Sequence, residues 1–410
     1  MIPSPYTPGE APPVLVGRHE QVERARADLA LMATYGRFRG RVQVDVGSRG
    51  VGKTSLLKAV RDAAAEAGAV VAWVTARGDE SLVASLGHAI TRGLDGIGVD
   101  VGPRSRLRDR VQSLSLELGA VGASAGVELD VASSDDAGTG AASSAFADLV
   151  SAAALAARER GSAGLVLLVD EIQAAPRSDL RTFAYAWQEL QQATPEPPAV
   201  VFAAGLPNTP DVLTAAVTFS ERFAFRHLRR LAASDAVEVL EGPARAVGVT
   251  WSPALRDAVV ALADGYPYFL QLYGDAVWQA GRPDDGSELD AVLLDDARDR
   301  VATELDTMFR ARWSVASPGE RRLLVAMAEL TGEAADAAAT TAAATSSGPE
   351  APEQPVRRAA IAERLGVTSN DLSEPRRSLL DKGLVEAAER GRLRFTVPGF
   401  AAFVRRESGG

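Results

Sequence analysis

Residues 46–57 read "VGSRGVGKTSLL", and within them Gly47, four residues, Gly52, Lys53 and Thr54 satisfy the pattern G-x-x-x-x-G-K-[ST]. That spacing suits one task, holding a nucleoside triphosphate by its phosphates. Gly47, Gly50 and Gly52 can adopt backbone angles that aim successive N–H groups at one anion. Thr54 and Ser55 open a helix, whose first free N–H groups and positive dipole end face the same point. Lys53 is expected to reach the β- and γ-phosphates, and the Thr54 hydroxyl to complete a Mg²⁺ shell. The chain holds three lysines, Lys53, Lys58 and Lys382, so a lysine here is not background.

Such a cradle also needs an acid to order the metal. "GLVLLVDEIQ" supplies one: Leu165 to Val169 is a continuous apolar run, as a strand covered on both faces should be, and it ends in Asp170 and Glu171. Asp170 is expected to hold the Mg²⁺ water shell and Glu171 to orient the attacking water.

Elements that could position these groups follow from the pattern. "RVQVDV" (41–46), "AVVAWVTA" (69–76), the acidic run, "AVVFAAG" (199–205) and "FAFRHL" (223–228) read as strands. Helical stretches separate them, including an alanine-rich one from Ala145 to Arg160. Five strands alternating with helices predict an α/β fold with a doubly wound, mostly parallel sheet. Between them "GAVGASAGVELDVAS" suggests a short hairpin and "SSDDAGTGAASS" a flexible loop.

Composition narrows the chemistry. The 410 residues allow two or three domains, and 46% hydrophobic with 24% charged residues is ordinary for a globular chain. With no cysteine, disulfides, thiolate metal sites and cysteine nucleophiles are excluded. His19, His88 and His227 lack metal-ligand spacing. The Pro-rich start "MIPSPYTPGEAPP" is no signal peptide, and no stretch suggests a membrane span, so a cytoplasmic protein without membrane contact is expected. A net charge of −10 argues against a protein coating nucleic acid all over. From Val356 to Gly410, however, eleven Arg and Lys face seven Asp and Glu, so any nucleic-acid contact belongs there.

The remaining organisation is read as follows. Residues 1–13 form a disordered N-terminus, 14–231 the nucleotide-binding core, 232–313 a helical lid, and 314–406 a winged helix. In the last, "SPGERRLLVAMAEL", "VRRAAIAERLGV" and "SEPRRSLLDKGLV" give three helices, and "LVEAAERGRLRFTV" a hairpin. The stretch 331–355, poor in large apolar residues, reads as a disordered insertion.

With these motifs in place the chain resembles the AAA+/STAND-type P-loop ATPases, and among them the origin-recognition-like AAA domains of actinobacterial proteins. "VLVGRHEQ" (14–21) is similar to the family's hhGRxxE box, which implies that Val16, Gly17 and Arg18 border adenine. "AAGLPNTP" (203–210) resembles a sensor-1 strand end, placing the Asn208 amide near the γ-phosphate, although Asn is also a common turn residue. In "FSERFAF" (219–225), Arg222 holds the family's arginine-finger position. It would act on a neighbouring subunit, sense nucleotide within one chain, or form an ordinary surface ion pair. "DGYPYFLQLYG" (264–274) resembles the GxP element of STAND lids, with Tyr266 and Pro267 against adenine or simply in the lid core.

One departure from the family is that no basic residue follows Gly265 as far as Asp275, so a sensor-2 arginine is missing there. The resemblance therefore implies a slow ATPase switch using ATP, ADP and Mg²⁺ rather than a rapid motor. Two partners stay open. One is duplex DNA, met by Arg376 and Arg377 on the third helix and Arg390, Arg392 and Arg394 on the wing. The other is a protein surface, through self-association, a separate partner, or packing of the winged helix on the core.

Overall fold

The computed structural model describes residues 2–101, 105, 107, 109, 110, 112, 114, 117, 134–217, 219, 222–342, 354–389 and 391–409, with only the backbone of 134–139, 335–342 and 389. The suggested hairpin at 119–133 lies outside them, as does Arg390. The chain divides into two compact units. One comprises Arg18–Gly47 and Lys53–Leu228, and the other Met1–Gly17, Ser48–Gly52 and Arg229–Gly410.

The first unit is built on five strands: β1 (Val42–Val46), β2 (Val70–Thr75), β3 (Leu165–Asp170), β4 (Ala199–Gly205) and β5 (Phe223–His227). They form one sheet in the order β2-β3-β4-β1-β5, with every pairing parallel. α1 (His19–Tyr35) precedes β1, and the crossovers carry α2 (Lys53–Glu66), α3 (Leu82–Asp95), α4 (Ser134–Glu159), α5 (Arg177–Glu189) and α6 (Thr209–Ala216). β1, β3 and β4 are buried at every position, which explains the continuous apolar runs of β3 and β4, whereas β1 also buries Gln43 and Asp45. Each fully buried Val or Leu contributes about 1.5–3 kcal/mol, so this core fixes where the strand ends fall.

Two sequence expectations change here. The stretch read as a flexible loop is helical from Ser134, because alanine-rich polar sequence propagates a helix once its apolar part is anchored. Gly140–Glu159 is also long and apolar enough to cross a membrane, contrary to expectation. Its Phe146, Leu149, Val150, Ala153 and Ala157 are buried in the core of this unit, the pattern of a core helix.

The second unit begins with chain expected to be disordered. Tyr6 is 3% exposed and stands edge-on to Trp251 and Trp278, at 6.2 and 5.9 Å between ring centroids. Its hydroxyl donates to the Leu240 carbonyl at 2.5 Å and accepts from Trp251 Nε1 at 2.9 Å. Trp278 Nε1 donates to the Ile2 carbonyl at 2.9 Å. A Cβ at Gly274 would lie 2.8 Å from the Tyr6 ring, so only glycine admits this approach. One aromatic anchor among prolines is invisible to a compositional reading.

The rest of this unit comprises α7 (Ala233–Ala246), β6 (Thr250–Trp251), α8 (Pro253–Ala263), α9 (Pro267–Gly281), β7 (Glu288–Leu289), α10 (Leu294–Ser314) and α11 (Pro318–Ala342). There follow β8 (Val356–Arg357), α12 (Arg358–Leu365), α13 (Ser373–Asp381), β9 (Val385–Glu389), β10 (Arg392–Phe395) and α14 (Phe400–Ser408). β8, β10 and β9 form an antiparallel sheet in that order. α11 runs well into the stretch read as a disordered insertion, whose residues 343–353 lie outside the described ones. The parts expected as lid and C-terminal domain share one hydrophobic core, in which Phe309 meets Phe400 and Phe403 at 5.6 and 5.5 Å.

Glu320 locks this C-terminal part together. Ser317 N donates to its carboxylate at 2.7 Å, forming a capping box for α11. Lys382 Nζ donates to the same carboxylate at 2.6 Å. Burial alone would raise the Glu320 pKa, but hydrogen bonds from Lys382, Ser378 and the Ser317 backbone outweigh it and hold the group at about 2. The stability this contributes is present above the ordinary value of 4.5 and is lost as pH falls from there through about 2. Glu320→Gln is expected to cost about 2 kcal/mol at neutral pH, since it leaves Lys382 without its counter-ion. Urea denaturation of both proteins checks this, and the difference between them should shrink at pH 3.

Candidate functional site

The loop after β1 has the geometry of an anion nest. Gly50 and Gly52 take left-handed angles, φ 82° and 97°, which a side chain would strain. Gly47 does not, contrary to expectation. Its N–H donates to the Gly205 carbonyl at 3.1 Å and prolongs the β1–β4 ladder by one rung.

Lys53, the first residue of α2, is 5% exposed, and its Nζ donates to the Gly47 carbonyl at 3.0 Å. The ammonium thus lies back along the loop that it spans. Thr54 and Ser55 follow in the first turn. β3 ends beside them, and the Thr54 hydroxyl donates to Asp170 Oδ2 at 2.7 Å. Residues 116 positions apart in sequence thereby meet at one point. Burial pushes the Asp170 carboxyl up, with the Thr54 hydrogen bond working against it. A buried carboxylate beside a hydroxyl is an oxygen donor set, which fits a Mg²⁺ that keeps waters and phosphate oxygens as its other ligands.

Glu171 turns away from β3 in the left-handed region, φ 52°. For a non-glycine residue this costs on the order of 1 kcal/mol. Its N–H donates to Asp170 Oδ1 at 3.0 Å, and Gln173 Nε2 donates to its Oε2 at 2.5 Å. Asn208 follows the end of β4, where its Oδ1 is buried with no hydrogen-bond partner among the described residues. Arg222 precedes β5 and donates to the Gln191 side chain of its own chain. Arg18 is buried, and on β1 Asp45 faces it together with Arg24 and Arg226. Burial nevertheless pushes the Asp45 carboxyl up to about 6.

In the second unit, Tyr266 is 1% exposed and lies on the segment Ser48–Gly52. A Cβ at Gly50 would stand 2.9 Å from its ring, so that glycine is needed for contact as well as for its φ. Burial pushes the Tyr266 hydroxyl up, with Arg312 and Ser48 beside it pulling the other way. Pro267 opens α9, and Val16 packs on the core of the same unit. Gly17 has φ 69°, and a Cβ on it would meet Leu231 at 2.6 Å and Asp235 at 2.9 Å.

Arg312, near the end of α10, was not singled out by sequence. It is half-buried, and burial lowers its pKa. Tyr266 favours its charge while Arg49 opposes it, and no carboxylate pairs with it among the described residues. A cation in that setting beside the phosphate loop fits an anion. It lies well beyond the 265–275 stretch in which a basic residue was sought. A sequence signal existed only in the spacing Arg310-x-Arg312: Arg310 bonds Asp306 at 2.7 Å on the surface, while Arg312 faces inward.

Of the C-terminal arginines, Arg377 is exposed and Arg376 half-buried on α13. Arg392 donates to the Pro355 carbonyl at 3.2 Å, and Arg394 pairs with Glu386 at 2.6 Å. Arg230 pairs with Asp264 and donates to the Phe395 and Thr396 carbonyls at 2.9 and 3.2 Å.

Two structures of Aeropyrum pernix ORC2 share the fold. The one described as ADPNP-ADP complexes has 16% identity, covers 98% of this chain and 95% of that one, and has a TM-score of 0.56. The ADP form has 17% identity, 98% and 97% coverage, and a TM-score of 0.51. The Thermotoga maritima RuvB Holliday junction branch migration motor superposes too loosely to weigh, with a TM-score of 0.40 at 15% identity over 92% of each chain. No curated protein matches the sequence. Residues 306–404 match a family described as a domain of unknown function (DUF8462). Residues 14–202 match a family described as AAA ATPase domain, and the chain has the α/β fold of the ORC2 structures.

Proposed function

We propose that the protein binds MgATP at the loop between β1 and α2 and hydrolyses it slowly, as a conformational switch. The observation that carries this reading is the Thr54–Asp170 hydrogen bond at 2.7 Å, which joins the end of the phosphate loop to the acidic strand. Thr54 and Asp170 hold the Mg²⁺, which when bound neutralises phosphate charge. Lys53 meets the β- and γ-phosphates, Glu171 orients the water and Asn208 contacts the γ-phosphate. Val16, Gly17, Arg18, Tyr266 and Pro267 border the base. Arg222, bonded to Gln191, acts within its own chain. A cytoplasmic location belongs to the same reading.

The output of the switch is read through the C-terminal four-helix, three-strand part as a winged helix that contacts duplex DNA. The exposed Arg377 and its neighbour Arg376 on α13 support this. Arg394 is occupied by Glu386, so the wing contributes less than its arginines suggest. A second reading, in which this part packs as a protein module, is favoured by the Arg230 bonds that tie Asp264 to β10. Duplex DNA titrated in rising salt separates the two. DNA binding predicts a complex that weakens steeply with salt and is reduced by Arg376→Glu with Arg377→Glu. No shift at low salt overturns the DNA reading in favour of the second.

A further inference from the structure

Gln173, two residues past the catalytic carboxylate, uses both ends of its amide. Its Nε2 donates to Glu171 Oε2 at 2.5 Å. Its Oε1 accepts from Leu206 N at 3.0 Å and from the Thr209 hydroxyl at 3.3 Å. Leu206 and Thr209 bracket Asn208 in sequence. Thr209 is fully buried, and its one hydroxyl hydrogen is shared between Gln173 Oε1 and the nearer Leu206 carbonyl at 2.6 Å, which closes the corner between β4 and α6. Gly205 makes the convergence possible. A Cβ there would stand 2.1 Å from Thr209 Oγ1 and 2.7 Å from Gln173 Oε1.

We propose that Gln173 is a positioning residue that sets the direction of the Glu171 carboxylate and ties it to the corner carrying Asn208. The proposal rests on the reading of Glu171 as the group that orients water. The chemistry is specific to an amide. A donor is needed toward Glu171 and an acceptor toward the Leu206 N–H, at the tip of one side chain. Occupying Oε2 leaves Oε1 of Glu171 for the water. Because the other end of Gln173 holds the β4–α6 corner, a shift of Asn208 toward a γ-phosphate is transmitted to the carboxylate through a single rigid amide. The left-handed backbone of Glu171 is held by the same network, with Ala174 N donating to its carbonyl at 2.8 Å.

Gln173→Glu keeps the size and the acceptor but removes the donor and places a second carboxylate against Glu171. We expect kcat to fall about tenfold, the size of one hydrogen bond to a charged group, with KM for ATP unchanged. Gly205→Ala, which displaces the amide without adding charge, should likewise lower kcat with KM for ATP unchanged. Thr209→Ser, which keeps the hydroxyl, should retain activity. A wild-type chain that turns over ATP, with kcat unchanged in Gln173→Glu, overturns the inference alone. If Gln173→Glu does not fold, an unchanged kcat in Gly205→Ala overturns it. A wild-type chain without turnover overturns the hydrolysis reading and this inference with it.

Discussion

Glu171→Gln should lower ATP turnover by about 10²-fold, the low end for a positioned general base, while leaving ATP affinity intact. The substitution preserves the shape of the side chain and an oxygen that can still accept from Gln173 Nε2. What it removes is the negative charge that polarises the attacking water. That charge matters in the transition state rather than in the bound ground state, so the loss should fall on kcat and not on binding. Steady-state turnover and equilibrium titration of the same preparation measure the two quantities. Turnover persisting at the wild-type rate would mean that another group activates water. A loss of binding equal to the loss of rate would mean that Glu171 holds the loop rather than the water.

Lys53→Ala should weaken ATP about 10- to 100-fold, the equivalent of one charge-assisted hydrogen bond of 1.5–3 kcal/mol. The ammonium is buried and bonded to the Gly47 carbonyl at 3.0 Å, so its removal leaves a carbonyl short of one donor. One carbonyl short of a donor costs about 1–3 kcal/mol, so the fold should survive. Titration with a fluorescent ATP analogue, beside a thermal melt, checks both halves. Unchanged affinity in a folded variant would sink the phosphate-loop reading.

What was legible in the sequence is what is local. The phosphate loop, the acidic strand end and all five sheet strands are short segments whose residue types fix their conformation, and they fall within one or two residues of the expected positions. Long-range contacts were not legible. Tyr6 sits in a Pro-rich stretch that looks disordered until Trp251 and Trp278 close on it from far along the chain. Arg312 is one of many arginines, and only the fold turns it toward Tyr266 while Arg310 stays on the surface. Gln173 reads as filler after an acidic pair until Gly205, Leu206 and Thr209 arrive beside it on another strand. Gly47 shows the opposite error. A motif glycine was assigned an unusual angle, whereas the sheet simply extends through it.

The account turns on hydrolysis at this one site, and release of inorganic phosphate from ATP by the wild-type chain tests it most directly. With Mg²⁺ present we predict a slow, linear release, abolished by EDTA and nearly so in Glu171→Gln. Release no faster than in buffer alone, or release indifferent to EDTA, would contradict it.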